Sequence, residues 1–152
     1  MLELIKEFHN YCIKNKLTVS VVESCTSGKL GDSLTTYPGS SKWFLGGLIV
    51  YNDEIKSKLL NIPLELIKEY NAVSNLISYL MAKNGKEIFN SDICISITGY
   101  IESYCYVCII LNENVFIKKI KFDNDSRAIN KTIIIEKIFK LIIDYLNIFR
   151  SY

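Results

Sequence analysis

Apolar and polar positions change their period several times along the chain, and each change marks an element. "MLELIKEFHNYCIKNK" repeats its apolar residues at helical spacing, which predicts an amphipathic helix from Leu2 to about Lys16. Thr18 to Glu23 is a short β-branched run without alternation, the pattern of a strand buried on both faces of a helix-covered sheet. Ser24 falls at the turn that follows. From Cys25 to about Thr36 the residues Leu30 and Leu34 recur at helical spacing, and Pro38 with Gly39 in "YPGSS" stops that element. "WFLGGLIVY" reads as a second buried strand, weakened at Gly46 and Gly47, where a neighbouring backbone or a ligand comes close.

"NDEIKSKLLNI" and "PLELIKEY" predict short helices, the second opening at Pro63, whose fixed φ suits a first turn. Ser74 is placed to cap the longer helix "NLISYLMAKNGKEIF". "DICISITG" predicts a third strand, and "YCYVCIIL" with "VFIKKIKF" an antiparallel hairpin through the turn "NEN". A closing helix runs from about Asp125, with one buried face. Strands alternating with helices, no repeat or linker, and a length that suits one core predict a single domain over residues 1–152. Its expected class is α/β, a three-layer α/β/α domain with a mixed, mainly parallel sheet ending in an antiparallel hairpin.

Charge narrows the partners. The 18 basic and 16 acidic residues leave a net charge of +2, spread along the chain without a basic face that could track a phosphate backbone, so no nucleic-acid partner is expected. Arginine occurs only as Arg127 and Arg150. The first helix lacks the uninterrupted apolar stretch of a secretory signal, and Glu136, Lys137, Lys140 and Asp144 break the terminal apolar run, so neither export nor a membrane span is expected. Five cysteines, an odd number, fit free thiols in a reducing compartment and a cytoplasmic location.

The candidate chemistry is settled first by what is missing. Cys105 and Cys108 have zinc-ligand spacing, but there is no second pair and His9 is the sole histidine, and on a strand the two thiols face opposite sides of the sheet. Buried structural thiols and no metal are therefore expected. "SCTSGKL" has Glu23 where a phosphate-binding loop needs its first glycine, and Leu30 where it needs a hydroxyl. With His9 in the first helix, no serine-histidine triad is available. Ser24 is thus either a helix cap or a nucleophile whose base is a lysine, made neutral by burial or nearby cations.

"VVESCTSG", "PGSSKWFLGGLIVYNDEIKSKLLNIP", "AVS" ahead of a helix, and "ISITG" occur in an order and spacing similar to those of the CinA C-terminal domain family, whose active members are nicotinamide mononucleotide amidases. The resemblance covers Thr18 to Gly99 well and the last fifty residues loosely. It implies that Ser24 is the nucleophile, within a motif the family writes E-S-C-T-G-G, and that Tyr51 and Lys56, 27 and 32 residues further on, are the assisting tyrosine and the general base. The implied reaction converts nicotinamide mononucleotide to nicotinic acid mononucleotide and ammonia by a metal-independent serine/lysine mechanism, with no cofactor. With Ser24 at a helix start, backbone donors near Thr26 and Ser27 would hold the oxyanion. Thr26, Ser27, Gly28, Gly46, Gly47, Thr98, Gly99 and Arg127 are the expected substrate-binding residues. Glu23 and Cys25 are read as structural, with Glu23 receiving hydrogen bonds that fix the turn. The family also implies a homodimer or higher homo-oligomer.

Several departures qualify the resemblance. Where the family has a long glycine- and proline-rich loop after its "TG", here "TGYIESYCYVCII" passes almost directly into the next strand, about nine residues shorter, removing a pocket wall. Ser27 replaces a glycine of the nucleophile motif, and Asn71 replaces the glycine before "AVS", a milder change because asparagine tolerates positive φ. A Gly-Asp-Arg element that opens the family's last helix is echoed only by Arg127 and Lys131, with an extra residue between Asp125 and Arg127. The alternative reading is accordingly a catalytically impaired or altered-substrate ligand-binding or dimerisation module.

Overall fold

The computed structural model describes residues 1–123 and 126–150, with the side chains of residues 149 and 150 left aside. Strands β1 (Val19–Glu23), β2 (Phe44–Ile49), β3 (Ile93–Tyr100), β4 (Tyr104–Leu111) and β5 (Asn114–Lys121) form one sheet in the order β2-β1-β3-β4-β5. β1 pairs in parallel with both β2 and β3, whereas β3 with β4 and β4 with β5 are antiparallel. The sheet is mixed as expected, and its antiparallel part reaches one strand further than the terminal hairpin. Only Ile101–Ser103 separate β3 from β4, and a connection that short can only reverse the chain, since a parallel crossover needs a dozen residues or more.

Strand alternation divides the core in two. Ile93, Ile95 and Ile97 of β3 point to one face, into a core shared with helices α1 (Leu2–Asn15), α2 (Lys29–Leu34) and α6 (Arg127–Arg150). Cys94 points to the other, into a core with α3 (Asp53–Leu60), α4 (Leu64–Tyr70) and α5 (Asn75–Phe89). Three layers result. The same alternation puts Cys105 in the first core and Cys108 in the second, so the pair cannot converge on one ion. Burial first, with the neighbouring Cys94 adding to it, pushes the Cys108 thiol up to about 12.

Local chemistry sets the helix starts. The Asn52 side chain accepts from the N–H groups of Glu54 and Ile55 ahead of α3, and the Ser74 hydroxyl accepts from the N–H of Ile77 at 3.2 Å, as its capping position predicts. Pro63 stands immediately before α4. Asp125, the expected start of the closing helix, lies outside the described residues, and the helix is seen from Arg127. Among the described residues no helix is long and apolar enough to cross a membrane.

β2 corrects the expectation of a buried strand. It is the sheet's edge, bonded only to β1, and one of its two side-chain sets stays open, with Leu45 and Ile49 46% and 55% exposed. Gly47 answers to the neighbouring strand. A Cβ on Gly47 would lie 2.8 Å from the Val21 carbonyl oxygen and 2.4 Å from Val21 Cγ2.

Candidate functional site

The turn after β1 is built around one carboxylate. Glu23 is buried at the strand end, where its Oε1 accepts from the Thr26 hydroxyl at 2.6 Å and the Leu30 N–H at 2.9 Å, and its Oε2 from the Gly31 N–H at 2.9 Å. A strand side chain thereby satisfies first-turn donors of α2 that would otherwise be orphaned. The helix begins four residues later than the sequence predicts. Ser27 (φ 49°) and Gly28 (φ 96°) are both left-handed, a conformation through which a right-handed helix cannot pass. Ser24 is consequently not at a helix start, and the Ser27 N–H is already donated to the Ser24 carbonyl at 3.1 Å. Of the backbone donors expected near Thr26 and Ser27, the Ser27 N–H is therefore committed to the turn.

Ser24 itself is well fixed. Its N–H continues the sheet ladder to the Ile97 carbonyl at 3.0 Å, and the next residue, Cys25, is buried with its thiol pushed up to about 11, chiefly by burial. A thiol held protonated is a poor nucleophile.

Ser24 lines a cavity of about 350 Å³ at the carboxyl ends of β1, β2 and β3. That is where α/β sheets place ligands, at the point where successive connections leave to opposite sides. Lys56 lines it from α3. Its side chain is 2% exposed, with the amine 3.7 Å from the partly open Asp53. Burial lowers the Lys56 pKa, and the Asp53 carboxylate opposes that shift. Thr98, Gly99 and Tyr100 contribute the end of β3. The Thr98 hydroxyl donates to the Ala72 carbonyl at 2.8 Å, which ties β3 to the wall formed by Asn71, Ala72 and Val73. Asn71 has φ 71°, the positive value anticipated where it stands in for glycine.

The rim carries Tyr51, Arg127 and Glu102. Arg127 hydrogen-bonds and ion-pairs with Glu102, and its second terminal nitrogen donates to the Tyr51 hydroxyl at 3.4 Å. Tyr51 is 61% exposed, and its hydroxyl meets this guanidinium rather than Lys56. The shortened β3–β4 connector still walls the cavity through Ile101 and Glu102.

The cavity thus unites Ser24, Tyr51, Lys56, Thr98, Gly99 and Arg127 from five separate segments. The other expected substrate contacts lie off its lining. Thr26 is committed to Glu23, Ser27 is exposed on the turn, and Gly28 packs beside Ile49. Gly46 and Gly47 sit within the edge strand against Phe89 and Val21, and half-buried Lys131 also falls outside the lining.

The model of the CinA C-terminal domain matches residues 2–146. The chain belongs to the CinA C-terminal domain family. A CinA-like protein of Koribacter versatilis is 45% identical over 82 residues, covering 54% of this chain and 20% of that protein, and one of Gloeothece citriformis is 49% identical with the same coverage. The chain therefore spans about a fifth of the length of the curated relatives it matches. Among solved structures, competence damage-inducible protein A of Klebsiella pneumoniae superposes with a TM-score of 0.92 at 19% identity, covering 96% of both chains. A CinA superfamily protein of Escherichia coli gives 0.89 at 22%, covering 94% of this chain and 89% of that one. At such identity the likeness concerns the fold. For a CinA-family domain the notable lining residues that sequence reasoning left out are Asp53 and Glu102. Asp53 was detectable three residues before Lys56 on one helix. Glu102 was not, because its partner lies 25 residues away on α6.

Proposed function

We propose that this domain is a metal-independent serine amidohydrolase acting on a linear amide, and that its substrate is nicotinamide mononucleotide, deamidated to nicotinic acid mononucleotide and ammonia. The observation that carries the reading is a single cavity shared by Ser24 and a lysine whose burial favours the uncharged amine. Neutral Lys56 takes the Ser24 proton as Oγ adds to the carboxamide carbon. The resulting ammonium returns that proton to the departing nitrogen, which leaves as ammonia and gives an acyl-enzyme. Water, deprotonated by the same amine, then adds to the ester carbonyl, and collapse restores the Ser24 hydroxyl and frees the acid. No step requires a cofactor. Tyr51 and Arg127 stand at the rim, suited to the nucleotide's sugar-phosphate end.

The exposed apolar residues Leu45, Ile49, Ile55 and Leu59 on β2 and α3 support self-association as a homodimer or larger homo-oligomer, and free buried thiols fit a cytoplasmic setting. A second reading, an altered-substrate or catalytically impaired ligand-binding or dimerisation module, is favoured by one observation: Arg127 is already paired with Glu102 from the short connector. Ammonia release from nicotinamide mononucleotide, measured for the parent, Ser24→Ala and Lys56→Ala, separates the two. Release by the parent that is lost in both variants supports the amidase. Release surviving both overturns the mechanism, and no release with retained nucleotide binding favours the second reading.

A further inference from the structure

The cavity contains its own counter-ions. Lys56 faces Asp53 at its inner end, and Arg127 faces Glu102 at its mouth. The two pairs differ in exposure: Lys56 is sealed, whereas Glu102 and Arg127 are 55% and 50% exposed. A pair that open to water is weak and exchangeable, since solvent screens it and both chains can rotate.

Its geometry is nonetheless built. The side chain of Asn130, buried one turn after Arg127 on α6, donates to the Ile101 carbonyl at 2.7 Å. Ile101 is itself buried, and the connector is closed by the Ser103 N–H donating to the Tyr100 carbonyl at 2.9 Å. Asn130 therefore fastens the residue before Glu102 to the helix that bears Arg127. The carboxylate is thereby held at the guanidinium, on the lining of the cavity.

From this we infer that Glu102 is a specificity-determining residue, an internal anion that occupies Arg127 in the empty cavity and must be displaced by the anionic end of a ligand. A carboxylate and a phosphate monoester both accept paired hydrogen bonds from one guanidinium, so they compete for the same donors. Displacement favours ligands whose anion outcompetes a tethered carboxylate, a dianionic phosphate monoester above all, and penalises neutral or singly charged analogues. Once displaced, Glu102 swings to solvent from its exposed connector, while Tyr51 keeps its hydroxyl beside the second guanidinium nitrogen.

The inference deepens the nucleotide reading of this cavity, and its test is separable because it needs no turnover. Ribose 5-phosphate, which carries no amide, is titrated calorimetrically against the full chain. Glu102→Gln should bind it about two- to fivefold more tightly than the parent, the upper part of the range expected when an exposed ion pair stops competing. Arg127→Gln should bind it more weakly than the parent. Added to Arg127→Gln, the Glu102→Gln change should give no gain, because the competition needs both partners. Unchanged, weaker or undetectable binding by Glu102→Gln overturns the inference, as does a gain that persists without Arg127. Failure of the amidase reading would appear elsewhere, as no ammonia from nicotinamide mononucleotide with the ribose 5-phosphate pattern intact.

Discussion

The Lys56 amine lies 3.7 Å from an Asp53 carboxylate oxygen, the lysine sealed in the cavity and the aspartate more than half open to solvent. The asymmetry sets the lysine's balance between forms. Burial disfavours the ammonium and lowers the pKa from 10.5, while Asp53 pulls it back up. Removing the carboxylate therefore lowers the pKa further.

That gives a pH prediction. With the neutral amine as the proposed base, kcat/KM for the amide should rise as pH increases through the Lys56 pKa, and in Asp53→Asn this acidic limb should move to lower pH. Stability should respond in the same variant. A lysine whose folded pKa is depressed binds fewer protons when folded, so its burial costs stability at neutral pH, and the cost fades as pH rises towards 10.5. Asp53→Asn should consequently unfold at a lower temperature than the parent at pH 7, the gap narrowing at alkaline pH. A limb that stays put, or moves up, would exclude Lys56 as the base.

Glu23 is the next test. Glutamine keeps its shape but replaces one acceptor oxygen with a donor, which then confronts the N–H of Leu30 or Gly31, or the Thr26 hydroxyl, inside the core. A buried donor left without a partner costs about 1–3 kcal/mol, so Glu23→Gln should lower unfolding free energy in denaturant by that amount. Ser24 adjoins the disturbed turn, and kcat/KM should drop about 10- to 100-fold through misplacement of the hydroxyl. Full activity with full stability would show that the carboxylate does not organise the turn.

How much of this was legible in the residues varied with the range of the interaction. β1, β3 and α5 follow from local pattern and from the Ser74 cap, whereas Ser24, Tyr51 and Lys56 are singled out by the family resemblance, and the fold brings all three to one cavity. The errors lie where a distant group overrides local preference. Leu30 and Leu34 announce a helix, but its first turns are lost to the left-handed Ser27 and Gly28, and its free donors go to a carboxylate on β1. "FLGGLI" is apolar throughout, yet sheet order leaves it at an edge. The Glu102–Arg127 contact joins a connector to a helix 25 residues on, and no periodicity encodes that meeting.

His9 supplies a pH prediction of its own, away from the cavity. Its Nδ1 accepts the Trp43 Nε1–H at 3.1 Å, so the neutral ring carries its proton on Nε2. Burial first, then the charge of Lys42, lowers its pKa from 6.5, and the neighbouring Tyr37 ring provides no countercharge. A histidine with a depressed folded pKa contributes stability present above pH 6.5 and lost as pH falls through the folded value. Melting temperature should decline from pH 7 to pH 5 in the parent, and His9→Gln should flatten part of that decline. An identical decline in the variant would assign the acid sensitivity to other groups.

Two glycines separate close packing from mere flexibility. Gly47 faces Val21 across the β1–β2 pair, where an added Cβ meets both a carbonyl oxygen and a methyl at distances that real Cβ atoms do not adopt. Gly31 sits inside α2, where the same addition makes ordinary contacts, the nearest being Glu23 Oε2 at 3.4 Å. Alanine should thus act with opposite sign at the two sites. Gly47→Ala should lose about 1–3 kcal/mol by overpacking, measured in denaturant, because neither strand can retreat without breaking ladder bonds. Gly31→Ala should be neutral or gain up to about 1 kcal/mol from helix propensity. Since β1 delivers Ser24 and β2 delivers Tyr51, the Gly47 variant should also weaken turnover in protein that remains folded. A Gly47→Ala domain as stable as its parent would mean that the two strands are not held at the spacing on which the cavity depends.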